Sequence, residues 1–231
     1  MMIRASFVRA QPVCYISHLE LINTLRRSLR RTELPVAYSQ GFNPQQKLAL
    51  GQPLPVGMTG EGYFDLELGE TLDLREVVEQ INRQLPRGIR LAEASVVPPT
   101  AASLMAVINT AVYLIKMEFN QLRSTEEQLI KSFLAEQQLE IRRERKNKED
   151  RIINIRPLIQ GIEVIRPAVW RLILDTGSRS NLRPEEVLRA LGNYCDQSKE
   201  VPIINIHREK LLVRIDDKYY KPLAGKVVGS G

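Results

Sequence analysis

The stretch "IRASFVRAQPVCYISHLELINTLRRSLR", residues 3–30, sets the fold of this chain. Its first eight residues alternate with the period of two that a half-buried strand requires. Ser17-His18-Leu19-Glu20 then has the spacing of a capping box, in which the Ser17 hydroxyl and the Glu20 carboxylate each satisfy a free backbone amide. Steps of four, three and four residues place His18, Ile22, Leu25 and Leu29 on one helix face. Arg26, Arg27, Arg30 and Arg31 occupy another arc, and Pro35 ends the element.

The pattern extends in both halves of the chain. Residues 37–57, "AYSQGFNPQQKLALGQPLPVG", hold three glycines and three prolines and read as a loop running into a strand at "KLAL". "GYFDLELG" is a strand with Phe64, Leu66 and Leu68 on one face. Asp73 and Glu76 repeat the capping spacing before a helix that buries Val77, Val78, Ile81 and Leu85. "IRLAEASVV" closes a β-α-β-β-α-β order over residues 1–98.

Pro98-Pro99 opens an extended linker to Leu104. A second unit over residues 104–216 repeats the order. It comprises the strand "TAVYLIKMEF", a helix capped at Ser124 to Glu127, a basic hairpin over 139–157 tipped at Asn147 to Asp150, the strand "VWRLILDT", a helix opened by Pro184, and a last strand "PIINIHREKLLVRI". The expectation is an α+β protein of two tandem ferredoxin-like units, each an antiparallel sheet with its helices on one face. One continuous α+β domain with an eight-stranded sheet is the competing layout. Residues 217–231 read as a flexible, Gly-rich tail.

The chain has 231 residues, 43% of them hydrophobic and 26% charged, with a net charge of +6. No run approaches the roughly 20 apolar residues of a membrane span, and the opening residues lack a signal-length apolar core. Cys14 and Cys195 are too few for a disulfide framework, so the expectation is a reduced, cytoplasmic protein with no membrane partner. Residues 1–50 carry seven Lys/Arg against two acids, whereas residues 51–98 carry four against eight. A second basic cluster spans Arg142 to Lys148. Such clusters suit nucleic acid or an acidic protein surface, or are simply a solvated basic face.

Among residues able to carry chemistry, His18 stands first, because a helix N-terminus favours a neutral imidazole able to act as a base. With Tyr38 and Lys47 nearby it could support metal-independent RNA cleavage; alternatively it packs beside Ile22 and Leu25. His207, in a strand beside Arg208, is a weaker candidate. In the loop, Ser39, Gln40, Gly41, Asn43 and Lys47 offer phosphate-holding groups, while Tyr38 and Phe42 could stack on bases or plug an open sheet end. Neither a Walker pattern nor a dinucleotide fingerprint occurs, and no Cys or His set suits zinc or an iron–sulfur cluster, so no cofactor is expected.

The segment from Tyr15 to Met58 resembles the signature of the bacterial radical-SAM-linked protein family. Ser17, His18, Leu19, Glu20, Tyr38, Ser39, Gly41, Phe42, Asn43, Pro44, Lys47, Pro53, Leu54, Pro55 and Gly57 sit at its matching positions. Where the family often has His-Pro before the lysine, this chain has Gln45-Gln46. The resemblance implies an accessory protein of RNA modification or maturation that works with a radical SAM protein, the partner supplying the cluster and S-adenosylmethionine. The expected binding surface comprises Ser17, His18, the basic arc Arg26, Arg27, Arg30 and Arg31, and the 38–47 loop. A metal-independent endoribonuclease using His18, or a purely protein-interaction module, are the alternatives.

Overall fold

A computed structural model describes residues 1–118, 123–145, 148–195 and 202–223, with the side chains of residues 123, 124, 145 and 148 outside the description. In chain order the strands are β1 (Met2–Arg9), β2 (Leu48–Leu50), β3 (Thr59–Glu67), β4 (Ile89–Val97), β5 (Thr110–Met117), β6 (Glu140–Arg145), β7 (Lys148–Asn154), β8 (Ile159–Arg166), β9 (Val169–Asp175), β10 (Ile203–Ile215) and β11 (Lys218–Tyr220). The helices are α1 (His18–Arg30), α2 (Leu74–Gln84), α3 (Leu104–Val107), α4 (Arg123–Ala135) and α5 (Pro184–Tyr194). The protein is mixed α+β with mainly antiparallel pairing, and it divides into two units: residues 1–109 with the chain from Lys210 onward, and Thr110–Glu209.

In the first unit β1 lies between β4 and β3, antiparallel to both, and β2 pairs with β3. The Lys210–Ile215 part of β10 also lies alongside β3 and carries β11. Alternation in β1 points Ile3, Ala5 and Phe7 to one face, opposite Leu66, Phe64 and Gly62 of β3. The Phe7 ring lies over Gly62, where an added Cβ would sit 2.4 Å from the ring tip. On α1 the buried stripe is Leu21, Leu25, Ser28 and Leu29, each leucine contributing about 1.5–3 kcal/mol of burial. The stripe expected through His18 and Ile22 is thus rotated, both being only half-buried. Ser28 Oγ donates to the Gln84 carbonyl at 3.0 Å and so joins α1 to the end of α2. Val77 and Ile81 are the buried residues of α2, with Val78 and Leu85 half-buried.

Arg4, on the other face of β1, forms a two-pronged pair with Asp65 at 2.7 and 2.9 Å and donates to the carbonyls of Ala102 and Pro222. That clasp corrects the expected tail. Asp216 and Asp217 turn with positive φ, β11 follows, Lys221 pairs with Glu93 at 2.6 Å, and Ser95 Oγ donates to the Leu223 carbonyl. Residues 224–231, the rest of that tail, lie outside the described residues.

In the second unit β9 lies between β8 and β5, antiparallel to both, with the Ile203–Glu209 part of β10 beside β5. β6 and β7 form a separate two-stranded hairpin. "RIINIRPLI" is therefore not one hairpin arm. Pro157 lacks an amide for the ladder, and Asn154 Oδ1 accepts from the Leu139 and Arg156 amides, so the chain turns there and β8 begins at Ile159. The core is Phe133, Trp170, Leu172 and Leu174, with Glu126 fully buried among them. Its carboxylate accepts from Trp170 Nε1 at 2.6 Å and from the Ala168 amide at 3.1 Å. The expected Ser124 cap and part of the 147–150 tip lie outside the described residues and side chains.

Candidate functional site

The Gly/Pro-rich loop resolves into three pieces. Residues 36–47 fold as a narrow hairpin: the Ala37 amide donates to the Glu67 carbonyl at 2.9 Å, Lys47 N to Ala37 O at 2.8 Å, and Ser39 N to Gln45 O at 2.8 Å. Ser39 Oγ accepts from the Gln45 amide at 3.0 Å, which closes the hairpin below its tip. Gln40, Gly41, Phe42, Asn43 and Pro44 form that tip and are all exposed. Gly41 has φ +122 and nothing near its Cβ direction. Phe42 is as accessible as a free side chain, at 107%, and Tyr38 is 44% exposed. Plugging a sheet end is thereby excluded for Phe42. Gln46, by contrast, is 4% exposed and its amide has no hydrogen-bond partner among the described residues.

The second piece is β2. The third, residues 52–58, wraps a residue not singled out in the sequence. Arg9 is fully buried at the end of β1, and its guanidinium donates to Ile16 O at 3.2 Å, Leu54 O at 3.3 Å, Met58 O at 2.6 and 3.2 Å, and Pro55 O. Four carbonyls from two loops thus converge on one cation. Burial lowers its pKa from the ordinary value, partly offset by the neighbouring Cys14. The clue lay in the parity of β1, since Arg9 follows Ile3, Ala5 and Phe7 on the inward face.

His18 belongs to this Arg9 end. Ser17 and Glu20 form the expected capping box, at 3.2 and 2.7 Å, and hydrogen bonding to Ser17 lowers the Glu20 pKa. His18 Nδ1 is buried without a partner among the described residues. The hairpin sits at the opposite end: β1 pairs Arg9 with Gly60 but Met2 with Glu67, and Ala37 bonds to Glu67. Eight strand residues separate these ends by roughly 24 Å, so Tyr38 and Lys47 do not converge on His18. Lys47 Nζ is instead 2.9 Å from the Glu67 carboxylate.

The arginine arc divides by role. Arg31 Nη2 donates to the Gln84 carbonyl at 2.6 Å and holds the end of α2. Arg26 is half-buried, its Nε without a partner among the described residues. Arg27 and Arg30 are exposed; Arg27 reaches only the Thr24 hydroxyl, at 3.3 Å, and neither pairs with an acid among the described residues. Residues 31–35 link the last turn of α1 to the hairpin, and Ser28 of that turn and Arg31 after it bond to the Gln84 carbonyl at the end of α2.

In the second unit two residues of the basic cluster, Arg142 and Arg143, are engaged, and the side chains of Arg145, Lys146 and Lys148 lie outside the description. Arg142 pairs with Asp150 at 2.6 Å, and Arg143 grips Glu186 at 2.6 and 2.7 Å. Burial lowers the His207 pKa, with Glu209 opposing the shift. Burial raises the Tyr113 pKa, with Arg208 opposing. Among the described residues no cluster of His, Cys, Asp or Glu could hold a metal ion, and no helix is long and apolar enough to cross a membrane.

No curated protein matches this chain. Among solved structures it resembles a Cbf5–Nop10–Gar1 complex, at 10% identity and TM-score 0.47, covering 89% of this chain and 48% of that one. An archaeal box H/ACA sRNP Nop10–Cbf5 complex gives 10% identity and TM-score 0.45, covering 88% and 47%. The chain spans about half the length of those it matches, and likenesses this distant carry no weight for fold or function. Residues 2–184 match the profile described as an uncharacterized protein conserved in bacteria (DUF2344), and the chain belongs to that family.

Proposed function

We propose that the protein is a cytoplasmic accessory factor that binds RNA through the 38–44 hairpin tip and the last turn of α1, as the partner of a radical SAM enzyme. The observation that carries the RNA reading is Phe42, wholly exposed on a hairpin whose base is pinned to β3. Leaving an aromatic ring in water forgoes about 1.5–3 kcal/mol of burial, and stacking on an unpaired base returns about 1–3 kcal/mol. Tyr38 offers a second ring, and Arg27 and Arg30 supply cations for flanking phosphates. The radical SAM half is supported by the motif resemblance alone, and any cluster would belong to the partner. Strand orders β4-β1-β3-β2 and β10-β5-β9-β8 support the ferredoxin-like reading of each unit, with β6–β7 inserted in the second.

Cleavage by His18 is disfavoured, because Tyr38 and Lys47 lie at the other end of β1 and Lys47 is engaged by Glu67. The test is a fluorescence-anisotropy titration of labelled single-stranded RNA across a salt series. Replacing Arg27 and Arg30 with Ala should weaken binding and reduce the slope of log K against log salt by about 1.4, the value for two lost single-strand phosphate contacts. Absence of binding at low salt would remove the RNA reading. A pull-down that recovers no radical SAM protein would remove the partner reading and leave a general protein-docking module.

A further inference from the structure

Three arginines converge at a corner of the first unit remote from the hairpin. An open concavity of about 630 Å³ lies where α2 passes into β4, lined by Glu79, Arg83, Arg87, Gly88 and Arg90 among others. That volume falls within the range of small-molecule sites, roughly 300–1,000 Å³. Arg83 reaches Glu79 at 3.3 Å along the exposed helix face. Arg87 and Arg90 are exposed and pair with no acid among the described residues. The hollow therefore gathers three guanidinium groups against one carboxylate.

The turn that presents them is held on both sides. Asn82 donates to the Leu91 carbonyl at 3.2 Å and accepts from the Leu91 amide at 2.9 Å, so α2 and β4 are clamped across the turn. The Gly88 carbonyl accepts from the Ala10 amide at 2.7 Å. Gly88 has φ +94, and a Cβ there would meet Val13 at 3.0 Å, so the backbone is pressed onto the 10–13 turn. The helix C-terminus would ordinarily repel an anion. Its Gln84 carbonyl, however, is already occupied by Ser28 and Arg31. A rigid turn carrying unpaired, fork-shaped donors is suited to phosphate oxygens, which guanidinium binds two at a time.

We propose that this concavity is a binding site for a phosphate-bearing ligand, with Arg87 and Arg90 as its principal contacts and Arg83 released from Glu79 to join them. The site is separate from the hairpin, because Ile89 faces Arg9 whereas the hairpin bonds to Glu67 at the other end of β1 and β3. Free oligophosphate and the phosphodiesters of a polynucleotide share this chemistry.

The experiment titrates the full chain with inorganic pyrophosphate and, separately, with a short oligouridylate, using calorimetry and amide NMR shifts. Wild-type protein should bind at least one probe saturably, with shifts at residues 83–90. The R87A/R90A variant, whose changes lie on the surface and should leave the melting temperature unaltered, should weaken that probe at least tenfold. The F42A variant, altered only at the hairpin tip, should leave pyrophosphate binding unchanged. Saturation by pyrophosphate identifies a free phosphorylated ligand, and a response confined to the oligouridylate identifies a polymer backbone. The proposal is overturned if neither probe saturates, or if R87A/R90A binds both as wild type does.

Discussion

Arg9 donates to the Met58 carbonyl from both Nε and Nη2, at 3.2 and 2.6 Å, and in doing so fastens the Pro-rich 52–58 segment to the end of β1. Among the described residues no carboxylate is a hydrogen-bond partner of Arg9; carbonyl dipoles solvate the buried cation. Replacing Arg9 with Met would leave the Ile16, Leu54, Pro55 and Met58 carbonyls without this donor. With about 1–3 kcal/mol lost per unsatisfied buried group and some relaxation, urea unfolding should show a loss of at least about 3 kcal/mol. A loss under about 1 kcal/mol would mean that water replaces the guanidinium readily.

The contact between Phe7 and Gly62 gives a second expectation. Gly62→Ala places a methyl group 2.4 Å from the Phe7 ring tip, and the ring is itself 98% buried, with 2% exposure. Overpacking of this kind costs about 1–3 kcal/mol. Phe7→Leu should be less harmful in the Gly62→Ala background than in wild type, so a double-mutant cycle should show favourable coupling.

In the second unit, Glu126 accepts from Trp170 Nε1 and the Ala168 amide while fully buried. Glu126→Gln exchanges charge-assisted bonds for neutral ones and should cost about 1.5–3 kcal/mol. Trp170 is the chain's one tryptophan, so its emission reports the site directly. A red shift at unchanged far-ultraviolet dichroism is the expected signature.

His207 should make stability pH-dependent. Burial lowers its pKa below the ordinary 6.5, so the unfolded chain takes up a proton at higher pH than the folded one. Stability from this group is therefore fully present above 6.5 and is lost as pH falls below it through the depressed folded value. Urea unfolding between about pH 8 and about pH 5 should show that decline, and His207→Asn should flatten it. An unchanged slope in the variant would assign the decline to other groups.

The sequence made β1, α1, α2, β4, β5 and β9 legible because each joins a clear period to a cap or breaker. Asp73 does cap the amides of Arg75 and Glu76, as its spacing implies. β8 was missed because "IQGIEVIR" follows Pro157 without a turn dipeptide, and β11 because its pairing with β10 depends on two aspartates with positive φ. At the site, the hairpin tip was identifiable from Gly41 and Pro44. The separation of His18 from Lys47 was not, since it follows from which end of β3 the hairpin bonds to. Arg9 was hidden because an arginine in an alternating strand normally reads as solvent-facing.

The most direct test of the RNA reading is anisotropy of a labelled single-stranded RNA against wild type and Phe42→Ala at low salt. Removing one stacking ring should weaken binding by about 1–3 kcal/mol, roughly five- to 150-fold, with the melting temperature unchanged because Phe42 supports no packing. Equal affinity of the two proteins for RNA would contradict the assignment of the hairpin tip as the binding element.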